Sequence, residues 1–369
     1  MRLSKLWLRD FRCYEELDIE FARGCTVVTG SNGQGKTSLL EAVGWIATAR
    51  SLRGVLDAAL VRSGAEEAIV RAQISYATDN TTLVEAAIRA VGRNKILVNK
   101  QTLTRKRDLI ENLRVTVFSP DDLDLVKGSP ARRRDYLDDL LEASAPRYAG
   151  VRSGVERIVK QRNALLRSGV RGESDRNTLE VLDDRLIENG GEQVRGRLRL
   201  IDRLTPELDG AYASLAGGET GVGNRYVPGW SESDIALTPD DVEARMRAGL
   251  KVLRSREIDR GVSLVGPHRD DWLLELDGLD ARNHGSQGEQ RTLALAMRLA
   301  GHRVVAEVVG ADPVLLLDDV FSELDPQRSE ALIANLPNTQ TLLTTASPLP
   351  PGVRVDAHLR VERGRVIAV

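Results

Sequence analysis

Gly30-Ser31-Asn32-Gly33-Gln34-Gly35-Lys36-Thr37 is the stretch on which the fold turns. Four residues separate its outer glycines, and a lysine followed by a threonine closes it, which is the P-loop pattern. Context decides whether such a pattern carries chemistry. Ahead of it, Cys25-Thr-Val-Val-Thr reads as a short buried strand ending at Gly30. Behind it, Ser38-Leu-Leu-Glu-Ala-Val-Gly-Trp-Ile-Ala has helical composition. Strand, glycine loop and helix in that order let backbone amides turn inward around phosphates at a helix N-terminus. Residues Gly30, Ser31, Asn32, Gly33, Gln34, Gly35, Lys36, Thr37 and Ser38 are therefore the predicted nucleotide contacts. Lys36 is expected to reach the β- and γ-phosphates of ATP, and the Thr37 hydroxyl to ligate Mg²⁺.

A second motif lies far downstream. Pro313-Val-Leu-Leu-Leu-Asp318-Asp319 fits a central parallel strand buried on both faces, with carboxylates at its C-terminal end. An apolar strand ending in two acids is common by itself; paired with a P-loop it is informative. Asp318 is expected in the Mg²⁺ shell, through Thr37 or water, and Asp319 as the catalytic residue that orients or polarises the attacking water.

The third motif separates the P-loop families. Ser286-Gln-Gly288-Glu-Gln290-Arg stands just before a helix predicted to begin near Gln290. A serine hydroxyl and free amides at a helix start can serve a second phosphate contact, or simply cap the helix. The arrangement looks like the ABC signature, which makes Ser286, Gly288 and Gln290 further predicted nucleotide contacts. In ABC ATPases that signature faces the nucleotide held by a second subunit. One P-loop and one signature in a chain are then halves of two different sites, and ATP becomes the glue of a homodimer.

Around these motifs the texture changes twice. The N-terminal third alternates at period two and reads as strands joined by turns at Asp79-Asn80 and Gly92-Arg93. Segments 132–141, 154–168 and 177–208 are charged with apolar residues at helical spacing, while 217–229 is a glycine-rich loop. Strand character returns at Trp272-Leu-Leu-Glu-Leu, followed by a helix at 290–309, strands at 314–317 and 341–345, a helix at 326–335 and a terminal hairpin turning at Arg363-Gly364. The expected fold class is α/β: an ABC-type P-loop ATPase head with an antiparallel β-subdomain and a helical second lobe. Residues 1–112 and 265–369 are assigned to a split ATPase domain and 113–264 to the helical lobe.

Composition narrows the partners. The 369 residues carry a formal charge of −2, so a global positive field cannot draw in nucleic acid; any DNA contact must come from local basic surface. Aromatics are only 4% of the chain, which argues for a backbone reader over base stacking on single strands. Candidate DNA contacts are Arg105-Lys106-Arg107 and Arg132-Arg133-Arg134, with Arg195, Arg197 and Arg199 as a third cluster, although each could be an ordinary solvated face. No run approaches the roughly 18–20 apolar residues of a membrane span, and the charged N-terminus lacks a signal-peptide core, so a cytoplasmic location is expected. Cys13 and Cys25 fit no zinc spacing and read as small buried hydrophobes of a reducing compartment.

Leu8-Arg-Asp-Phe11-Arg12-Cys-Tyr with the P-loop resembles the opening of RecF and SMC-type proteins. Phe118-Ser-Pro-Asp-Asp-Leu, Gly128-Ser-Pro-Ala-Arg-Arg-Arg-Asp-Tyr-Leu-Asp, Gly266-Pro-His-Arg-Asp-Asp and Gly285-Ser-Gln-Gly-Glu-Gln-Arg-Thr-Leu-Ala-Leu-Ala are similar to the RecF family itself. The stretch between Thr37 and Ser286 is too short for long coiled-coil arms. The resemblance implies a weak, DNA-dependent ATPase that dimerises on double-stranded or junction DNA. It further implies a role in helping to load RecA at gaps and stalled forks with RecR and RecO, in DNA replication, recombination, repair and the SOS response. It also implies that Arg12 lies beside the phosphates, where the residues alone allow a surface charge. Three features depart from the wider ABC pattern. No histidine follows the strand at 341–345, where Thr345 or Ala346 stands; Asp319 replaces the usual glutamate; and 118–123 offers no glutamine as γ-phosphate sensor. The first two imply slow hydrolysis. His268-Arg269-Asp270 imitates a kinase loop without its companions, and is read as structural or as near the nucleotide. A transporter ATPase and a scaffold that scarcely hydrolyses ATP are the rival readings.

Overall fold

The computed structural model describes residues 1–76, 80–105, 107–218, 220–231 and 236–369. They divide into two compact units: Met1–Asp122 with Ser214–Gly217 and Leu295–Val369, and Leu123–Ala213 with Gly218–Ala294. The first stretch contains β1 (Arg2–Phe11), β2 (Tyr14–Glu20), β3 (Cys25–Thr29), α1 (Lys36–Thr48), β4 (Glu67–Ser75), β5 (Thr81–Arg89), β6 (Lys95–Val98), β7 (Gln101–Thr102), α2 (Arg107–Ile110) and β8 (Val115–Phe118). The middle of the chain contains α3 (Asp124–Lys127), α4 (Pro130–Ser144), α5 (Arg147–Ser168), α6 (Glu173–Ala216), β9 (Val222–Val227), α7 (Val242–Arg260), β10 (Asp271–Leu276), β11 (Leu279–Asp280) and α8 (Ala281–His284). Then follow α9 (Gln287–Val309), β12 (Val314–Asp318), α10 (Pro326–Asn335), β13 (Thr341–Thr345), β14 (Ala357–Glu362) and β15 (Arg365–Ala368).

Among the described residues of the first unit the strands form two sheets. One is antiparallel, in the order β2-β1-β4-β5-β6-β7. Its strands alternate: Leu6 and Leu8 of β1 are buried while Arg9 is exposed. The other runs β15-β14-β3-β13-β12-β8, parallel from β14 to β8, with β15 antiparallel at one edge. Its centre does not alternate. Val314, Leu315, Leu316 and Leu317 are all fully buried, as a parallel strand covered on both faces requires. Helix α1 packs against β4 and β1 of the first sheet and β12 and β13 of the second. That position between sheets explains why Leu39, Leu40, Ala42, Val43, Trp45 and Ile46 are buried all round the helix.

The second unit is mostly helical but includes an antiparallel sheet, β11-β10-β9. Tyr136 of α4 stacks on Trp272 of β10, with ring centroids 6.0 Å apart and planes 3° apart. The expected glycine-rich loop at 217–229 needs correction, because β9 forms within it, held by pairing with β10. Helix α7 and strand β8 are additions to the sequence-based expectation. Both cysteines are free thiols, but they are not the buried hydrophobes expected: Cys13 is exposed and Cys25 half-buried. No helix among the described residues is long and apolar enough to cross a membrane.

Candidate functional site

Strand β3 delivers the chain to Gly30, and three glycines then adopt positive φ: 155° at Gly30, 78° at Gly33 and 118° at Gly35. Packing adds a reason for two of them. A Cβ at Gly30 would stand 2.5 Å from the Val361 carbonyl oxygen, and one at Gly35 would stand 2.6 Å from the Cys13 Sγ. The loop is also tied down from outside. Tyr14 donates its hydroxyl hydrogen to the Gly35 carbonyl at 2.9 Å, and the Arg363 amide donates to Gln34 Oε1 at 2.6 Å. Lys36 is buried, with Nζ donating to the carbonyls of Gly30 at 2.7 Å and Ser31 at 3.1 Å, and lying 3.5 Å from Asn32 Oδ1. Ser31, Asn32 and Gly33 form the exposed rim, Ser38 is half-buried, and the Cys13 thiol donates to the Gln34 carbonyl at 3.9 Å. This is an amide-lined concavity with a cation at its base.

Thr37, in the first turn of α1, donates its hydroxyl hydrogen to Asp318 Oδ1 at 2.9 Å, across 281 residues of sequence. Thr344 of β13 donates to the same oxygen at 2.7 Å. Burial pushes the Asp318 carboxyl up, the two hydroxyl bonds opposing it. Asp319 follows with φ of 50°, its amide donating to the Thr344 carbonyl at 3.0 Å and its Oδ1 lying 3.4 Å from the Ala346 amide. A carboxylate held beside a P-loop hydroxyl suits a hard divalent cation, which takes oxygen ligands.

Arg12, also at positive φ, closes one flank. Its Nε and Nη2 donate to the two oxygens of Glu41 at 2.9 and 3.0 Å, and its Nη1 donates to the Ala59 carbonyl at 2.8 Å. Ser51 donates to Glu41 at 2.7 Å. Glu41 is a buried carboxylate among the apolar residues of α1, and these bonds satisfy it.

The signature residues lie in the second unit. Ser286 Oγ accepts from the Glu289 amide at 3.3 Å while Glu289 Oε2 accepts from the Ser286 amide at 2.7 Å, a reciprocal capping box at the start of α9. The helix therefore starts at Gln287, earlier than predicted. Ser286 remains exposed and Gly288 half-buried. Gln290 is buried: its Nε2 donates to the carbonyls of Ala281 and Arg282, bracing α8 against α9.

A family model for the RecF/RecN/SMC N-terminal domain matches residues 2–347. The chain is 44% identical to the DNA replication and repair protein RecF of Frankia alni over 94% of this chain and 93% of that one. It is 42% identical to its counterpart in Streptomyces avermitilis over 99% of both. The chain belongs to the RecF family. Among solved structures it is similar to the recombination mediator protein RecF-ATP in the RecFOR pathway, with a TM-score of 0.90 and 27% identity over 100% of this chain and 99% of that one. An Smc head bound to the C-terminal winged-helix domain of ScpA, 16% identical with a TM-score of 0.60, shares the fold. The architecture is thus that of an ABC-type ATPase head.

On this RecF-family chain the predicted basic clusters fare unevenly. Arg105 is exposed; Lys106, and the side chain of Arg107, lie outside the described residues. Arg132 is exposed, 3.9 Å from Asp124. Arg133 is a correction: it is buried and both arms of its fork donate to Asp271 at 2.8 Å, so it has no face for a phosphate. Arg134 is partly buried and donates to the Asp270 carbonyl at 2.6 Å. Arg197 is fully buried on Asp138, Arg195 pairs with Glu243 at 2.7 Å, and Arg199 is exposed. The segment His268-Arg269-Asp270 is woven into the second unit, with Arg269 donating to the Ser263 carbonyl and Asp270 accepting from the Tyr226 hydroxyl at 2.5 Å. Sequence reasoning missed Tyr14, Glu41 and Thr344. A buried hydroxyl at the C-terminal end of an apolar parallel strand was the available signal for Thr344.

Proposed function

We propose that this chain is an ATP-driven recombination mediator that closes as a homodimer on double-stranded or junction DNA and opens on slow ATP hydrolysis. The observation that carries the reading is the Thr37–Asp318 bond at the mouth of the glycine cradle, in a chain of the RecF family. The donor set fits Mg²⁺: a hydroxyl, a buried carboxylate and an open amide cradle for the phosphates. Bound there, Mg²⁺ would supply charge neutralisation to the β- and γ-phosphates. Lys36 then adds its cation from the base of the loop, and residues 30–38 orient the phosphates through backbone amides and hydroxyls. Asp319 holds the attacking water, and Arg12, fixed by Glu41, closes the flank. Ser286 and Gly288 serve the nucleotide bound by a second copy, with Gln290 holding their loop from behind. Because Asp319 is the shorter acid and Thr345 and Ala346 stand where a histidine is usual, hydrolysis is slow and acts as a timer.

The reading extends to partners. The relatives are DNA replication and repair proteins, and the similar structure is a mediator in the RecFOR pathway. RecO, RecR and RecA are accordingly the protein partners proposed, in recombination, repair and the SOS response, and DNA is expected to stimulate the weak ATPase. Light scattering with ATP, with ADP and with a gapped duplex tests the core of this. The wild type should dimerise with ATP alone. Lys36→Ala should lose both ATP binding and dimers, whereas Ser286→Arg should keep ATP binding at the monomer and lose only the dimers. Normal dimers from Ser286→Arg would refute the composite site, and unchanged ATP affinity in Lys36→Ala would refute the reading of the loop.

A further inference from the structure

We propose that Thr344 is a positioning residue for the magnesium-binding carboxylate: its hydroxyl sets the orientation of Asp318 and ties Asp319 to the same point. The inference rests on the reading of Asp318 and Asp319 given above. Thr344 is fully buried near the end of β13, beside β12. Its hydroxyl has one hydrogen, and the short contact assigns it to Asp318 Oδ1 at 2.7 Å; the Leu317 carbonyl is at 3.5 Å. The same hydroxyl oxygen accepts from the Asp319 amide at 3.2 Å. One side chain therefore touches both acidic residues, Asp318 at its carboxylate and Asp319 at its backbone.

Thr37 also donates to Oδ1 of Asp318. Two hydroxyls on one oxygen restrain the carboxylate that would hold the metal. The two donors are not equivalent. In the proposed function Thr37 also binds the metal, whereas Thr344 is not among the proposed nucleotide or metal contacts. It acts on the cation only by holding Asp318. A valine at this position preserves shape and strand preference but supplies neither the donor nor the acceptor. The Asp319 amide keeps its bond to the Thr344 carbonyl at 3.0 Å, so the backbone turn survives the change.

The test compares the full-length wild type with Thr344→Val, Thr344→Ala and Thr344→Ser. Affinity for a fluorescent ATP analogue is measured in EDTA. Mn²⁺ affinity of the ATPγS-loaded protein is read from the electron paramagnetic resonance of free Mn²⁺, and kcat and KM for ATP are measured with Mg²⁺. Removing a hydrogen bond to a charged group should weaken Mn²⁺ binding and lower kcat by about tenfold or more in the valine and alanine variants. Metal-free nucleotide affinity should stay within about twofold, KM for the metal–ATP complex should rise in step with the lost metal affinity, and serine should restore Mn²⁺ binding to within about threefold. Melting curves identify any variant that fails to fold, and alanine replaces valine if that one does. Wild-type Mn²⁺ affinity in a folded valine or alanine variant would overturn the proposal, as would a serine variant that behaves like alanine. A wild type that binds neither nucleotide nor Mn²⁺ would instead remove the function on which it rests.

Discussion

In the first unit, Lys36 and Glu41 on α1 and Thr344 on β13 are buried polar groups beside the P-loop and the Asp318–Asp319 turn. In the second unit the buried cations are arginines, and two of them, Arg162 and Arg197, stand between helices. Arg162 of α5 donates to Asp183 of α6 at 2.7 Å, to both oxygens of Glu257 of α7 at 3.1 and 2.8 Å, and to Ser263 at 2.9 Å. Arg197 of α6 donates through both arms to Asp138 of α4 at 2.8 Å and to the Pro267 carbonyl at 2.8 Å. The first set surrounds a concavity where a charged ligand fits. The second set is closed, with cation, carboxylates and carbonyls answering one another. Buried polar groups thus line the candidate nucleotide site in one unit and knit helices together in the other, and only the partners of each group reveal which.

The sharpest way to break this contrast is to open a closed network. Arg162→Met should destabilise the second unit by about 3–5 kcal/mol, since it leaves Asp183 and Glu257 buried without that cation. Urea unfolding measures it. The double variant Arg162→Met with Glu257→Leu should recover part of the stability, because it removes a stranded carboxylate together with its cation. A destabilisation by the single variant below about 1 kcal/mol would mean that the network is not structural in this sense.

A smaller effect separates neighbours in sequence. Arg132 is exposed and Arg133 is closed on Asp271. With ATP and duplex DNA, Arg132→Ala should flatten the dependence of log affinity on log salt by about 0.9 for each phosphate that is no longer neutralised. Arg133→Ala should leave that slope alone and lower the melting temperature. If neither alters the slope while ATP-driven dimers persist, the DNA surface lies on other residues, such as those of the antiparallel sheet.

How far the sequence carried these distinctions depends on range. The P-loop, the apolar run Val314–Asp318 and the helix after Ser286 announce themselves locally, because period and composition name them. Strand β9 does not: Gly223, Asn224 and Arg225 have turn composition, and they become a strand only by pairing with β10, where Trp272 Nε1 donates to Asn224 Oδ1 at 3.0 Å. Helix α7 is charge-rich and buries Val242, Met246, Gly249, Leu250 and Glu257, too mixed a face to stand out as a stripe. Within the site, Lys36, Thr37 and Asp318 were legible from spacing. Thr344 and Glu41 were not, since their meaning comes from partners that only the fold assembles.

The smallest expected effect concerns pH and the closed side of the comparison. Burial raises the Asp270 carboxyl from 3.8 to about 6, against the lowering influence of Arg197 and of the bond from the Tyr226 hydroxyl. An acid whose pKa is raised by folding holds its proton more tightly folded than unfolded, so its contribution to stability falls as pH rises from about 4 to about 6. His268 works the other way. Burial, with the charges of Arg269, Arg134 and Arg162, lowers it from 6.5 to about 4, while its bond to the Ser263 carbonyl opposes the shift. The unfolded chain then binds the additional proton, and the histidine's contribution rises with pH from about 4 to about 6.5. The two trends oppose each other over nearly the same window, so the pair should leave the wild type with little net slope from these groups. His268→Gln removes one of them. Relative to the wild type, its stability should fall as pH rises between 4 and 6, by about 2 kcal/mol, a magnitude set by 1.36 kcal/mol per pKa unit. Urea unfolding at intervals across that range reads the slope. A histidine variant with the wild-type slope would show that burial does not hold His268 neutral in the folded protein.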